Sequence, residues 1–285
     1  MRRQYKVVDV FSDQPLRGNP CAVILDAEGL TTDDMQRIAA WTNLSETTFL
    51  LPPSNPAATY ALRIFTPRSE LPFAGHPTLG SAYAAVEAGK AVPKDGMLVQ
   101  ECKVGLINVR VTGAKITLEL PTAKITPITA TDVDELDAVL GRKVLRAAMP
   151  TVVNVGPRWL IAELPSAEDV IALTPDLVRL EKLERSVGAS GLTIFGKHAS
   201  GDIAIEVRSF APQDAIPEDP VCGSGNGSVA AFIWAARPVT GGLRYTAAQG
   251  RCVGRDGRID VVIDAGGKIV LGGACVTTVD GTLLF

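Results

Sequence analysis

Residues 218–231 read Glu-Asp-Pro-Val-Cys-Gly-Ser-Gly-Asn-Gly-Ser-Val-Ala-Ala and run on into Phe232-Ile233-Trp234. Asp219-Pro220 sets an extended or turn conformation. Gly223, Gly225 and Gly227 let the backbone approach a ligand closely, and the small apolar run after them predicts a buried helix. A helix that opens on glycines offers unpaired N–H groups and the positive end of its dipole, which together suit a carboxylate or phosphate. Asp219, Cys222 and Ser224 place a carboxylate, a thiol and a hydroxyl in the same loop.

A second stretch has the same grammar. Residues 71–85 read Leu-Pro-Phe-Ala-Gly-His-Pro-Thr-Leu-Gly-Ser-Ala-Tyr-Ala-Ala, again a glycine opening followed by a small-residue helix. Upstream, Arg63-Ile64-Phe65-Thr66-Pro67 matches Arg208-Ser209-Phe210-Ala211-Pro212 at an offset of 145, and Thr48-Phe49 matches Thr193-Ile194 at the same offset. Downstream, Gln100-Glu101-Cys102-Lys103-Val104-Gly105 echoes Gln249-Gly250-Arg251-Cys252-Val253-Gly254, with the offset reaching 149. Ordered anchors with a slowly drifting offset predict an internal duplication. The expected division is an N-terminal lobe over 1–125 and a C-terminal lobe over 126–285, with the last strand free to cross to the first lobe.

The 285 residues suit two domains of that size. With 46% hydrophobic and 21% charged residues and a net charge of −3, the chain reads as an ordinary soluble protein with no basic footprint for nucleic acid. No apolar run reaches the ~20 residues a membrane helix needs. Five cysteines at scattered spacings read as reduced thiols, which points to the cytoplasm. Cys21, Cys102, Cys252 and Cys275 fall in strand patterns and are expected to be buried small hydrophobes. The two histidines lie far apart, so no metal is expected; His198 reads as an exposed loop residue.

Strands are expected over 5–11, 21–25, 47–51 and 60–65, with two or three more over 97–119. In the second half they are expected over 152–154, 159–164, 192–195 and 203–210 and through the glycine-punctuated tail. Helices are expected over 31–41, with Thr31 as cap, from Gly75 to near Gly89, from Thr131, and over 167–173. Many short strands with one apolar helix per half predict an α+β fold, each lobe a curved antiparallel sheet or barrel around a central helix.

Equivalent loops of a duplicated fold differ where chemistry has been added. Glu46 stands where the second half has Gly191. Ala74 stands opposite Cys222, and His76 opposite Ser224. A thiol at a helix start favours the thiolate and is a candidate nucleophile or base. The glycine spacing at 223–227 is neither a dinucleotide fingerprint nor a P-loop, so no cofactor is expected.

The stretches Gly18-Asn19-Pro20, Asn43-Leu44-Ser45-Glu46-Thr47-Thr48-Phe49, Glu70-Leu71-Pro72-Phe73-Ala74-Gly75-His76-Pro77-Thr78 and Glu218 to Gly225 closely resemble the PhzF-like phenazine-biosynthesis family. That resemblance implies the diaminopimelate-epimerase-like fold and a homodimer. It implies a cofactor-independent isomerase acting on a small, amino-acid-like carboxylate, with Glu46 as general acid/base between the lobes. Gly75, His76 and Asp219 match residues lining that site. Gly223, Ser224 and Gly225 match a second-lobe anion loop, and Asn19 and Ser45 join the expected substrate contacts. Cys222 departs from the family's more usual threonine and resembles a catalytic cysteine of the epimerases. Two alternatives therefore stand beside the first reading: a two-base epimerase using Glu46 and Cys222, and a non-catalytic protein that binds a small anion.

Overall fold

The computed structural model describes residues 2–237 and 239–285. The chain divides into two compact units, one running to Leu118 and including Gly272–Phe285, the other spanning Glu119–Leu271.

The first unit contains β1 (Arg2–Val10), β2 (Asn19–Ile24), α1 (Thr32–Thr42), β3 (Thr47–Leu51), β4 (Tyr60–Phe65), β5 (Glu70–Leu71), α2 (Gly75–Glu87), β6 (Met97–Cys102), β7 (Gly105–Thr112) and β8 (Lys115–Glu119). The second contains β9 (Lys124–Pro127), α3 (Ala130–Leu140), β10 (Thr151–Asn154), β11 (Arg158–Glu163), α4 (Ala167–Ile171), α5 (Leu177–Val187), β12 (Gly191–Lys197), β13 (Ile205–Ala211), β14 (Ile216–Asp219), α6 (Gly223–Ala236), β15 (Leu243–Gln249) and β16 (Gly257–Ile263). The last strand, β17 (Ile269–Leu284), enters the first unit at Gly272.

In the first unit the pairings β17–β1–β2–β3–β4–β6–β7–β8 return to β17 and close a barrel of eight strands. The sheet is not purely antiparallel, as the sequence led us to expect: β2–β3 and β4–β6 run parallel. Each parallel pair brackets a helix, α1 or α2, because a crossover is what returns the chain in the same direction. The second unit repeats the pattern, with β11–β12 parallel across α4 and α5 and β13–β15 parallel across α6.

Helix α2 packs against β1, β2, β3 and β7, and α6 packs against β10, β11, β12 and β16. Both are apolar on most sides because strands surround them. Gly80 permits the approach: a Cβ there would stand 2.9 Å from Val10 Cγ2. Outside the barrel, Met35, Ile38 and Ala39 of α1 cover Phe49 and Phe65, whose rings meet edge to face at 5.4 Å.

Four local expectations change. The α3 cap is Thr129, in a reciprocal capping box with Asp132, rather than Thr131. Helix α5 was not anticipated, although Leu177, Leu180, Leu183 and Val187 keep helical spacing between the Asp176 cap and Gly188. Cys252 lies in an exposed 3₁₀ turn, and Cys102 is only partly buried. His198 is half-buried, its Nε2 3.1 Å from the buried Glu206 carboxylate.

Candidate functional site

Glu46 directly precedes β3. Its carbonyl accepts the Ala22 amide at 3.3 Å, which ties its backbone to β2. The side chain turns into the protein, with 16% of it accessible, and Oε2 lies 3.2 Å from His76 Nδ1. Burial pushes the Glu46 carboxyl up to about 7. A carboxyl group held there exchanges a proton near neutrality, as a general acid/base requires.

His76 is the second residue of α2, after Gly75. The N-cap, Ala74, makes no side-chain bond to the helix, and the third helical residue is Pro77, which has no amide hydrogen. Pro77 therefore removes one of the amides that a helix start ordinarily presents without an intrahelical acceptor. A Cβ on Gly75 would meet nothing within 4 Å. Asn19, the buried first residue of β2, pairs with Val10 of β1, and Ser45 adjoins Glu46.

In the second unit Cys222 is the N-cap of α6, and its Sγ accepts the Gly225 amide at 3.2 Å. The expectation of a thiolate is not met. Burial, and next the Asp219 carboxylate, push the Cys222 thiol well above its ordinary value. Asp219 Oδ1 accepts the Val221 amide at 3.0 Å and shapes the turn leading into the helix. Ser224 Oγ accepts from Trp159 Nε1 at 2.9 Å and lies 3.6 Å from Cys222 Sγ. Gly225 has no room for a side chain: a Cβ would stand 2.7 Å from both the Ser209 and Thr193 hydroxyls.

The first unit thus brings Glu46 and His76 together, and the second brings Cys222, Ser224, Gly225 and Asp219 together. Sequence reasoning missed Trp159 and Gln249. Gln249 Oε1 accepts from the Cys222 amide at 3.1 Å and Asn226 Nδ2 at 2.8 Å, while its Nε2 donates to the Asp219 carbonyl at 3.0 Å. Its partner by duplication, Gln100, donates to Thr78 Oγ1 at 3.0 Å in the first turn of α2. Both glutamines were visible as matched anchors, but their inward direction was not. Trp159 had a quieter signal, Gly191, since a glycine inside a strand leaves space for a neighbour. A Cβ on Gly191 would stand 2.4 Å from the Trp159 ring and 2.6 Å from the Phe210 carbonyl oxygen.

Among the described residues no cluster of three or more His, Cys, Asp or Glu side chains has a metal-holding arrangement, and no helix is long and apolar enough to cross a membrane.

The family described as phenazine biosynthesis-like protein matches residues 8–281. Antisense-enhancing sequence 1 of Schizosaccharomyces pombe is 39% identical over 289 residues, covering 97% of each chain. The trans-2,3-dihydro-3-hydroxyanthranilate isomerase of Pseudomonas aeruginosa is 32% identical over 274 residues, 94% of this chain and 92% of the relative. Among solved structures, a PhzF-family phenazine biosynthesis protein from Bacillus anthracis aligns over the full length of both chains with a TM-score of 0.89 at 22% identity.

Proposed function

Because the chain belongs to the phenazine biosynthesis-like family and is an isomerase, we propose that it moves a proton on a small, amino-acid-like carboxylate with Glu46 as the single acid/base. The observation that carries this reading is the Glu46 carboxyl, buried, raised to about 7 and 3.2 Å from His76. In the ionised state it takes a proton from a carbon next to an electron-accepting group. The C–H bond breaks, its electron pair enters the substrate's π system, and an O–H bond forms on Glu46. The same group then returns the proton to a second carbon, so the enzyme ends as it began. His76 holds the carboxylate in position. The substrate's own carboxylate is assigned to the Gly223 and Ser224 end of α6, whose amides and hydroxyl are donors. Asn19, Ser45 and Gly75 are assigned to the substrate's remaining contacts, with no cofactor and with a homodimer as the working assembly.

The two-base alternative draws little support from Cys222. Its sulfur already accepts the Gly225 amide, and its thiol is driven toward the neutral form. The non-catalytic alternative is set aside on the isomerase relatives.

The test is incubation in deuterated water with trans-2,3-dihydro-3-hydroxyanthranilate and a panel of amino-acid-like carboxylates. Deuterium should enter product or recovered substrate with the wild type and not with Glu46→Gln. Equal exchange in both would remove Glu46 as the proton carrier.

A further inference from the structure

Residue 191 of the second unit is the counterpart of Glu46, and strand register extends the equivalence. Trp159 pairs with Gly191 across β11–β12, while Ala22 pairs with Thr47 across β2–β3, which sets Trp159 in the place of Cys21. The two positions have exchanged bulk. The first unit has a small Cys21 beside an extended Glu46. The second has a bare Gly191 with the Trp159 ring lying where its side chain would begin. In the first unit the occupant of this space reaches His76, and in the second it reaches Ser224. An acid/base has been replaced by an indole N–H, which only donates.

We infer that Trp159 is a positioning residue that makes Ser224 a donor dedicated to a carboxylate. The inference rests on the assignment of the substrate's carboxylate to the α6 helix start. A serine hydroxyl has one hydrogen to give and two lone pairs to receive with. Trp159 Nε1–H occupies one of those lone pairs at 2.9 Å and so turns the hydroxyl hydrogen away from the indole. Among the described residues the hydroxyl hydrogen then meets Cys222 Sγ at 3.6 Å, a weak acceptor that already receives the Gly225 amide. A carboxylate oxygen is the better acceptor and takes that hydrogen. The chain indole N–H to hydroxyl to carboxylate is polarised in one direction, so each bond strengthens the next.

The experiment uses benzoate as a carboxylate probe and needs no turnover. In protein labelled with ¹⁵N at tryptophan, the indole signal of Trp159 is assigned with Trp159→Phe, the other two belonging to Trp41 and Trp234. Ser224→Ala should move that signal, and benzoate should move it in the wild type. Benzoate affinity should fall about tenfold in Trp159→Phe and in Ser224→Ala, the lower end for a hydrogen bond to a charged group. The double variant should lose no more than either single one, and Ser224→Thr, which keeps the hydroxyl, should retain affinity. The Ser224 arm leaves the Trp159 packing intact, so it stands if the Phe variant folds poorly. Losses that multiply in the double variant overturn the inference, as does an indole signal indifferent to Ser224→Ala or a wild type that does not bind benzoate. This coupling without any deuterium exchange would defeat the proposed isomerase role of Glu46 alone, and exchange without the coupling would defeat the Trp159–Ser224 relay alone.

Discussion

At residue 46 the first unit carries a carboxyl group, and at the equivalent residue 191 the second carries only a hydrogen. Around that difference the two halves are closely matched. Arg63 grips Glu70 through two nitrogens and lies over Phe65; Arg208 grips Glu218 and lies over Phe210. Gln100 and Gln249 each bond the first turn of their own central helix. The matched glutamines bond their helix starts, while the unmatched Glu46 and Trp159 reach His76 and Ser224. The two halves therefore share their framework and differ in which residue of the pair carries bulk, Glu46 in one and Trp159 in the other.

Changing Glu46 should have the largest effect. Glu46→Gln should lower exchange by roughly a hundredfold or more, the scale for losing an acid/base group. In the wild type kcat/KM should rise with pH through about 7 as Glu46 ionises, because the base is the carboxylate. A pH profile in which that limb lies near the ordinary carboxylate range would separate Glu46 from the proton transfer. The same shift has a stability consequence of definite sign. The folded protein holds this proton more tightly than the unfolded chain, so the contribution is full below the ordinary glutamate value of 4.5 and is lost as pH rises through about 7. Glu184, buried in α5 and also raised to about 7 by burial, acts in the same direction and window. Denaturation of Glu46→Gln across pH 4–8 should therefore show a shallower decline than the wild type, though not a flat one.

Next in size is the bulk exchange itself. Gly191→Ala should destabilise the protein by about 1–3 kcal/mol, the usual penalty for overpacking, measured by urea denaturation. Trp159→Phe in that background should relieve only part of the loss. It removes the ring atom 2.4 Å from the new Cβ, but the Phe210 carbonyl oxygen at 2.6 Å belongs to the backbone and stays. A fully neutral Gly191→Ala would mean that both the indole and the Phe210 carbonyl give way freely, and the distinction between the two units at this position would not be one of space.

These predictions draw on features of unequal visibility in the sequence. The repeated Arg-x-Phe-x-Pro and glycine-opened helices were legible because a duplication writes each signal twice, and apolar runs such as 228–234 mark a helix surrounded by strands. Glu46 stood out only against Gly191. Helix α5 was missed because its Arg179, Glu181, Lys182 and Arg185 dilute the apolar spacing. The parallel strand pairs were missed because strand direction depends on which side of a neighbour a crossover lands. Cys222 was visible as a thiol at a helix start, but whether burial or the helix end governs its proton depends on what surrounds it. Trp159 is 32 residues away from Gly191 in the chain; only the register of β11 on β12 brings them together.

The smallest effect concerns the two caps, and it tests the comparison most finely. In α6 the third helical amide, Gly225, is received by Cys222 Sγ; in α2 the third residue is Pro77, and Ala74 has nothing to receive. The halves settle the third helical position by different means, a received amide in α6 and no amide hydrogen in α2. Cys222→Ala should cost about 1 kcal/mol, the ordinary worth of a side-chain cap, whereas Cys222→Thr should cost less because its oxygen receives the same amide. Pro77→Ala should cost about 1 kcal/mol or less, since it restores an unreceived amide and loosens the unfolded chain. The decisive measurement is Ala74→Ser, made in both backgrounds and followed by thermal unfolding. A serine there should stabilise the Pro77→Ala protein and do little for the wild type, where the third position has no amide hydrogen to receive. Equal gains in the two backgrounds would mean the serine bonds elsewhere, and the pairing of Ala74 with Pro77 against Cys222 with Gly225 would lose its physical basis.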